Sequence, residues 1–237
     1  MQKNSDPMGT AIMDYLMKGK ASRLRVLSPD FDEDEIPVET LFREFDEMPE
    51  IEKNALELAQ GRILDVGAGS GCHSLELQRM GKQVVAIDLS ELSVEAMKRR
   101  GVENACVQDF YKVEERYDTV LLLMNGSGII GGIDKMKDFF SHLDNILCDG
   151  GVVLMDSSDI SYVSTDDDGV FDYSGEGYYG ELTYTMRYKN IKGEPFKWLY
   201  LDFETLKSSA SKYGYSAELI LEGDHFDYLA KITKQRQ

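Results

Sequence analysis

The chain has 237 residues, 42% of them hydrophobic, enough to bury the core of one large domain or of one domain with an added lobe. Its 26 Lys and Arg face 43 Asp and Glu, and the resulting formal charge of −17 repels phosphate backbones and argues against nucleic acid as a partner. No apolar run reaches the roughly 18 residues of a membrane span, and the three cysteines and three histidines lack the spacing of a disulfide framework or a zinc site.

The opening MQKNSDPMGT shows no basic start followed by an apolar stretch, so a cytoplasmic location is expected. Residues 1–60 read as a helical extension packed as a lid on the core. It holds a short amphipathic helix around 12–17, then an acidic segment with Leu41, Phe42, Phe45 and Met48 at helical intervals after Pro37. A further helix runs from Pro49 to Gly61 with Ile51, Ala55, Leu58 and Ala59 on its apolar side. From residue 61 the pattern alternates, with strands expected at 63–66, 84–87, 105–107, 119–124 and 152–155. Intervening helices end at Gly81 and Gly101, and Met136, Phe139, Phe140, Leu143 and Ile146 mark a strongly amphipathic one. Such alternation makes right-handed crossovers and a parallel sheet covered on both faces.

Residues 157–202 read as an insertion. A long polar loop comes first, and its DDD run at 166–168 does not fit a calcium loop. Leu182, Tyr184, Met186 and Tyr188 then alternate with polar residues, and Phe196, Trp198 and Tyr200 alternate on the return, which predicts a β-hairpin. A helix from Phe203 to Tyr213 and two strands near 218–221 and 228–232 finish the chain.

The chemistry begins at ILDVGAGSGCHS, residues 63–74. Gly67, Gly69 and Gly71 follow a strand on alternate positions, whereas the dinucleotide fingerprint is G-x-G-x-x-G and would put a glycine at Cys72. Asp65 at the strand end opposes a pyrophosphate but suits a ligand that carries positive charge and no phosphate, such as S-adenosylmethionine. Asp88, 21 positions after Gly67, ends the second strand where a carboxylate can take both ribose hydroxyls. Asp109, a further 21 positions on, can accept from an adenine amino group, with Phe110 and Leu89 flanking the base.

These residues resemble the class I S-adenosylmethionine-dependent methyltransferases. ILDVGAGSG is similar to their first motif, VVAIDLS to the acidic end of their second strand, and VQDF to the adenine-side acid. YDTVLLLMNG and LCDGGVVLMD match their fourth and fifth strands. The resemblance implies a three-layer α-β-α Rossmann-like sandwich over 61–237, with a seven-stranded, mostly parallel sheet whose last strand is antiparallel. It further implies S-adenosylmethionine as cofactor, held by Asp65, Gly67, Ala68, Gly69, Gly71, Asp88, Leu89, Asp109, Phe110, Met124 and Asn125. The expected partner is a small-molecule acceptor, shaped for by the N-terminal extension and the hairpin. An NAD(P)-dependent oxidoreductase and a non-catalytic binding module of the same fold stay as alternatives.

Methyl transfer from a sulfonium needs alignment above all, and a base only for an acceptor that starts protonated. No catalytic residue is therefore assigned. His73 and His225 are candidate bases, each more simply read as structural. Tyr178, Tyr179 and Tyr184 either line an acceptor pocket or pack. Arg43 either clamps a carboxylate or, more plainly, pairs with a nearby Glu. Asp156 and Asp159 are either half of a metal site or, more plainly, solvated loop acids, and no metal is expected.

Overall fold

The computed structural model describes residues 5–29, 31–165 and 171–235; the DDD run at 166–168 lies outside them. Strand β1 is Leu24–Leu27, β2 Asp34–Ile36, β3 Arg62–Val66, β4 Gln83–Asp88, β5 Ala105–Val107 and β6 Tyr117–Leu122. The later strands are β7 Leu147–Ser158, β8 Glu181–Tyr188, β9 Ile191–Lys192, β10 Phe196–Leu199, β11 Tyr215–Glu222 and β12 Asp227–Lys234. The helices are α1 Pro7–Lys18, α2 Glu50–Leu58, α3 Cys72–Arg79, α4 Glu91–Arg100, α5 Met136–Ile146 and α6 Phe203–Lys212.

The main sheet has seven strands in the order β11-β12-β7-β6-β3-β4-β5. Strands β3 to β7 pair in parallel, and β12 enters antiparallel between β7 and β11. This is the expected Rossmann-like sheet. The apolar runs decide its interior: β3 and β6 are buried along almost their whole length, as strands covered on both faces must be. The stripe on α5 goes inward entire, with Met136, Phe139, Phe140, Leu143 and Ile146 all buried. Ser90 caps α4 and Asp202 caps α6 through their side chains, which starts each helix at a defined residue. None of the helices among the described residues is long and apolar enough to cross a membrane.

The N-terminal 60 residues correct the sequence reading. They are not all helical: β1 and β2 pair with each other, and β1 pairs with β8 of the hairpin. The hairpin and the N-terminal strands thereby make a second, five-stranded sheet. The acidic segment also forms no α-helix but two 3₁₀ turns, Val38–Phe42 and Phe45–Glu47, separated by extended backbone at Arg43 and Glu44. The break lets Arg43 turn its guanidinium into the core, where a charge partner outweighs helical propensity.

Helix α1 lies on α4. Asp6 caps α1 by accepting from Gly9 N–H at 2.8 Å, and its other oxygen accepts from Ser90 Oγ at 2.5 Å. One buried carboxylate thus ties the extension to the β4–α4 turn. Shallow grooves near Gly61, Arg62 and Asp118 lie at the amino ends of the strands, opposite the end where chemistry is expected.

Candidate functional site

The carboxyl ends of β3, β4 and β6 converge beside the glycine turn, as the crevice rule for open α/β sheets requires. Gly67 and Ala68 both donate N–H to Ile87 O, at 2.9 and 3.0 Å, so the turn folds back across β4. All three glycines hold positive φ, yet they serve different ends. A Cβ on Gly69 meets nothing nearer than 4.0 Å, which leaves an open cradle above the turn. A Cβ on Gly71 lies 2.8 Å from Val102 and 2.9 Å from Met97, so this glycine permits close packing of α3 on α4.

Asp88 reaches the turn as its spacing suggests. One carboxylate oxygen accepts from Gly69 N–H at 2.9 Å and the other from Ser90 N–H at 2.8 Å. Each oxygen keeps a second lone pair for a hydroxyl. Burial pushes the Asp88 carboxyl up to about 6 against those two bonds. Leu89 beside it is 55% exposed, an apolar surface next to the cradle. Asp109 caps the short turn after β5, accepting from Tyr111 N–H at 3.0 Å. The Phe110 ring is buried against Phe139 and His142, so of the two expected flanks Leu89 is the one that faces outward.

Asp65 is 2% exposed and accepts from Ser74 Oγ at 2.6 Å, so it anchors the first turn of α3. Burial raises its carboxyl, with the His73 charge and the Ser74 bonds opposing. At the end of β6 the chain enters left-handed backbone at Met124 and Asn125. Asp156 holds that turn by accepting from Met124 N–H at 3.1 Å and Gly126 N–H at 2.9 Å, and Ser158 Oγ donates to Asn125 Oδ1 at 2.8 Å. Asp156 is 8% exposed and belongs to β7, which corrects its reading as a solvated loop acid. Burial pushes its carboxyl up to about 6. Asp159 accepts from Tyr179 Oη at 2.7 Å. Among the described residues no group of three His, Cys, Asp or Glu is arranged to hold a metal ion.

A buried ionic group, which the sequence reading did not assemble, stands behind the turn. Arg43 pairs with Glu52, and Glu52 meets His73 Nε2 at 2.6 Å. Their exposures are 8%, 5% and 5%. Burial works against the charge on His73, but Cys72, the Glu52 hydrogen bond and the Asp65 carboxylate outweigh it and hold the imidazole up to about 10. Burial also opposes ionisation of Glu52, yet His73 and Arg43 bring its carboxyl below the usual range. Arg43 Nη1 donates to Thr40 O at 2.5 Å, while its Nε is buried without an acceptor among the described residues. Nearby, Ser70 of the turn donates to Leu41 O, and Arg100 donates to Ser70 O at 2.8 Å. Residues 41–43 therefore sit directly on the glycine turn. Met124 packs against the cluster of Ile12, Leu41 and Ala96 under the same cover.

The remaining candidates lie elsewhere. His225 is exposed on the β11–β12 turn. Tyr178 donates to Asp202 at 2.6 Å beside Tyr179. Tyr184 lies on β8 with its hydroxyl 3.5 Å from that of Tyr200.

A family model described as a methyltransferase domain matches residues 63–151. The chain is similar over its full length to an S-adenosylmethionine-dependent methyltransferase from Bacteroides fragilis solved in complex with S-adenosyl-L-homocysteine. The two are 52% identical with a TM-score of 0.95, covering 100% of this chain and 98% of that one. A ubiquinone biosynthesis O-methyltransferase from Xanthomonas oryzae is 43% identical over 63 residues, 27% of this chain, and the match spans 26% of that protein's length. A glycine/sarcosine N-methyltransferase from Aphanothece halophytica is 26% identical over 152 residues, covering 60% of this chain and 54% of that protein.

Proposed function

The chain belongs to the S-adenosylmethionine-dependent methyltransferases, and from that premise we propose that it methylates a small-molecule acceptor held against the cofactor at the β3–β4–β6 crevice. The observation that carries the reading is the open cradle at Gly69 bounded by the Asp88 carboxylate and exposed Leu89. It fits an adenosyl group, and the Asp88 carboxylate at its edge opposes a phosphate. Asp88 would accept from the two ribose hydroxyls through its unused lone pairs. Leu89 would cover one face of the adenine, with Asp109 at its amino edge. Asp65 would act on the ligand's ammonium through its field, since it is buried and one of its oxygens is taken by Ser74 of α3. The unpartnered Arg43 Nε would take the ligand's carboxylate.

When bound, S-adenosylmethionine supplies a methyl group on a positively charged sulfur, a leaving group already activated. The work left to this chain is alignment and exclusion of water. Asp156 fixes the left-handed turn at Met124 and Asn125, which would set the floor on which acceptor and methyl meet. His73, charged and paired with Glu52, is a holding group in this reading and not a base. The similarity to a ubiquinone biosynthesis O-methyltransferase and a glycine/sarcosine N-methyltransferase supports a small acceptor. The acidic surface and three free cysteines support a cytoplasmic setting. Calorimetry with S-adenosylhomocysteine tests the cofactor half: micromolar binding that Asp88→Ala weakens about tenfold or more is expected. Absence of binding by the wild type would overturn it.

A further inference from the structure

The second sheet turns one face toward the core, and its pairing registers state which side chains share that face. At one end Leu24 and Tyr188, cross-strand partners, are fully buried beneath α1. At the other end the Trp198 indole lies on the turn after β6, so close that a Cβ on Gly128 would fall 1.9 Å from it. Between these covered ends lie Val26, Met186 and Tyr184, on the same face by the registers Val26↔Met186 and Leu182↔Trp198. They are only half-buried although they point inward. Their partial exposure points to a cleft between the second sheet and the core, near the turn that begins at Asn125.

The strand side chains of this face carry one sign of charge, and Lys189 lies over the Tyr188 ring only at the covered end. Asp34, paired with Val26, is on this face and exposed at its mouth. The strand residues of this face include no Lys or Arg, because Arg25, Arg187 and Lys197 all take the opposite face. Tyr184 donates to Tyr200 across 3.5 Å, the long limit for a hydroxyl pair, so both oxygens keep capacity for a ligand. Burial, followed by the Tyr200 hydrogen bond and only then by Asp34 and Tyr162, pushes the Tyr184 hydroxyl up and keeps it neutral. Aromatic faces with a carboxylate and no competing cation attract positive charge.

We propose that this cleft is the acceptor site and that it selects a small amine, bound as an ammonium ion over the Tyr184 and Tyr200 rings with Asp34 as counter-charge. The proposal rests on the methyltransferase reading above. Transfer runs on the free amine: the ammonium proton leaves to solvent past Asp34, the nitrogen lone pair forms the N–C bond to the methyl, and the C–S electron pair returns to sulfur. Sulfur loses its positive charge and nitrogen gains it, so the step balances.

The test uses the whole chain saturated with S-adenosylhomocysteine and three probes of similar size: benzyltrimethylammonium, benzyl alcohol and benzoate. Titration followed by calorimetry should show the cation binding about tenfold more tightly than either other probe. Tyr184→Leu and Asp34→Asn should each remove most of that preference, while Arg187→Gln on the opposite face should not. Labelled methyl from S-adenosylmethionine should then pass to primary or secondary amines and not to phenols. Equal binding of the three probes, a preference untouched by both cleft variants, or transfer to phenols alone would overturn the amine assignment. S-adenosylhomocysteine affinity measured in the same samples separates the outcomes. Its loss in the wild type refutes the methyltransferase reading, whereas its retention without cation preference refutes only the acceptor class.

Discussion

Glu52→Gln removes one charge from a group of three that water barely reaches. Arg43, Glu52 and His73 are 8%, 5% and 5% exposed, so solvent screening gives almost no relief. The Gln keeps the volume and can still hydrogen-bond, but it leaves the Arg43 guanidinium buried without its carboxylate and takes from His73 one of the acids that hold its proton. Breaking a buried pair by removing one partner costs about 3–5 kcal/mol. With a urea m-value at the upper end of the usual range, about 3 kcal/mol/M, that cost lowers the unfolding midpoint by about 1–1.7 M. The same logic predicts the opposite for a concerted change. Arg43→Met, Glu52→Leu and His73→Leu made together replace all three charges by apolar volume, and the midpoint should return to within about 0.5 M of the wild type. Urea denaturation followed by circular dichroism reads both variants. A Glu52→Gln midpoint within 0.3 M of wild type, at unchanged m-value and on the order of 1 kcal/mol or less, would refute the argument that this group is a desolvated, mutually compensated unit.

Three other outcomes follow from the site. Gly71→Ala, at φ +84° with Val102 at 2.8 Å, should destabilise by about 2–3 kcal/mol, whereas Gly69→Ala, facing open space, should cost about 1 kcal/mol and mainly weaken S-adenosylhomocysteine binding; thermal midpoints and calorimetry on the pair distinguish a packing glycine from a ligand glycine. Burial pushes the Asp88 carboxyl up to about 6, and in the proposed role it must be ionised to accept from both ribose hydroxyls. S-adenosylhomocysteine affinity should therefore fall as pH drops from 7 through 6, and a pH-independent affinity would count against that role. His73 is raised from 6.5 to about 10 by folding. Its contribution is complete below pH 6.5 and drains away as pH climbs toward 10, so the thermal midpoint should decline across that window and decline less in His73→Leu.

What was legible in the sequence was whatever local backbone chemistry dictates. Glycines on alternate positions after an apolar strand state a left-handed turn, and acids at the ends of the next two strands mark the edge where a polar ligand is proposed. Alternation from Leu182 to Tyr188 states a strand that is half covered. Each of these signals is carried by residues within a few positions of one another. What escaped depends on partners far along the chain. Strands of three and four residues at Leu24–Leu27 and Asp34–Ile36 have little strand signal of their own and exist because β8 pairs with β1 across some 160 positions. Phe110 and Leu89 look alike as flanks for a base, yet the packing of α5 buries one ring and leaves the other side chain out.

Glu52 shows the division most sharply. The sequence expects a nearby Glu to pair with Arg43, and the structure supplies Glu52, but no spacing rule separates it from Glu50 or brings His73 to it. Only the fold brings Arg43 from one segment and His73 from another to the same point, where the loss of water makes each charge require the others. The sequence by itself determined the glycine turn and the sheet around it, because those rest on short-range backbone geometry. The tertiary structure alone decided the buried charge group and the cleft of the second sheet, because desolvation and strand pairing are properties of distant residues brought together.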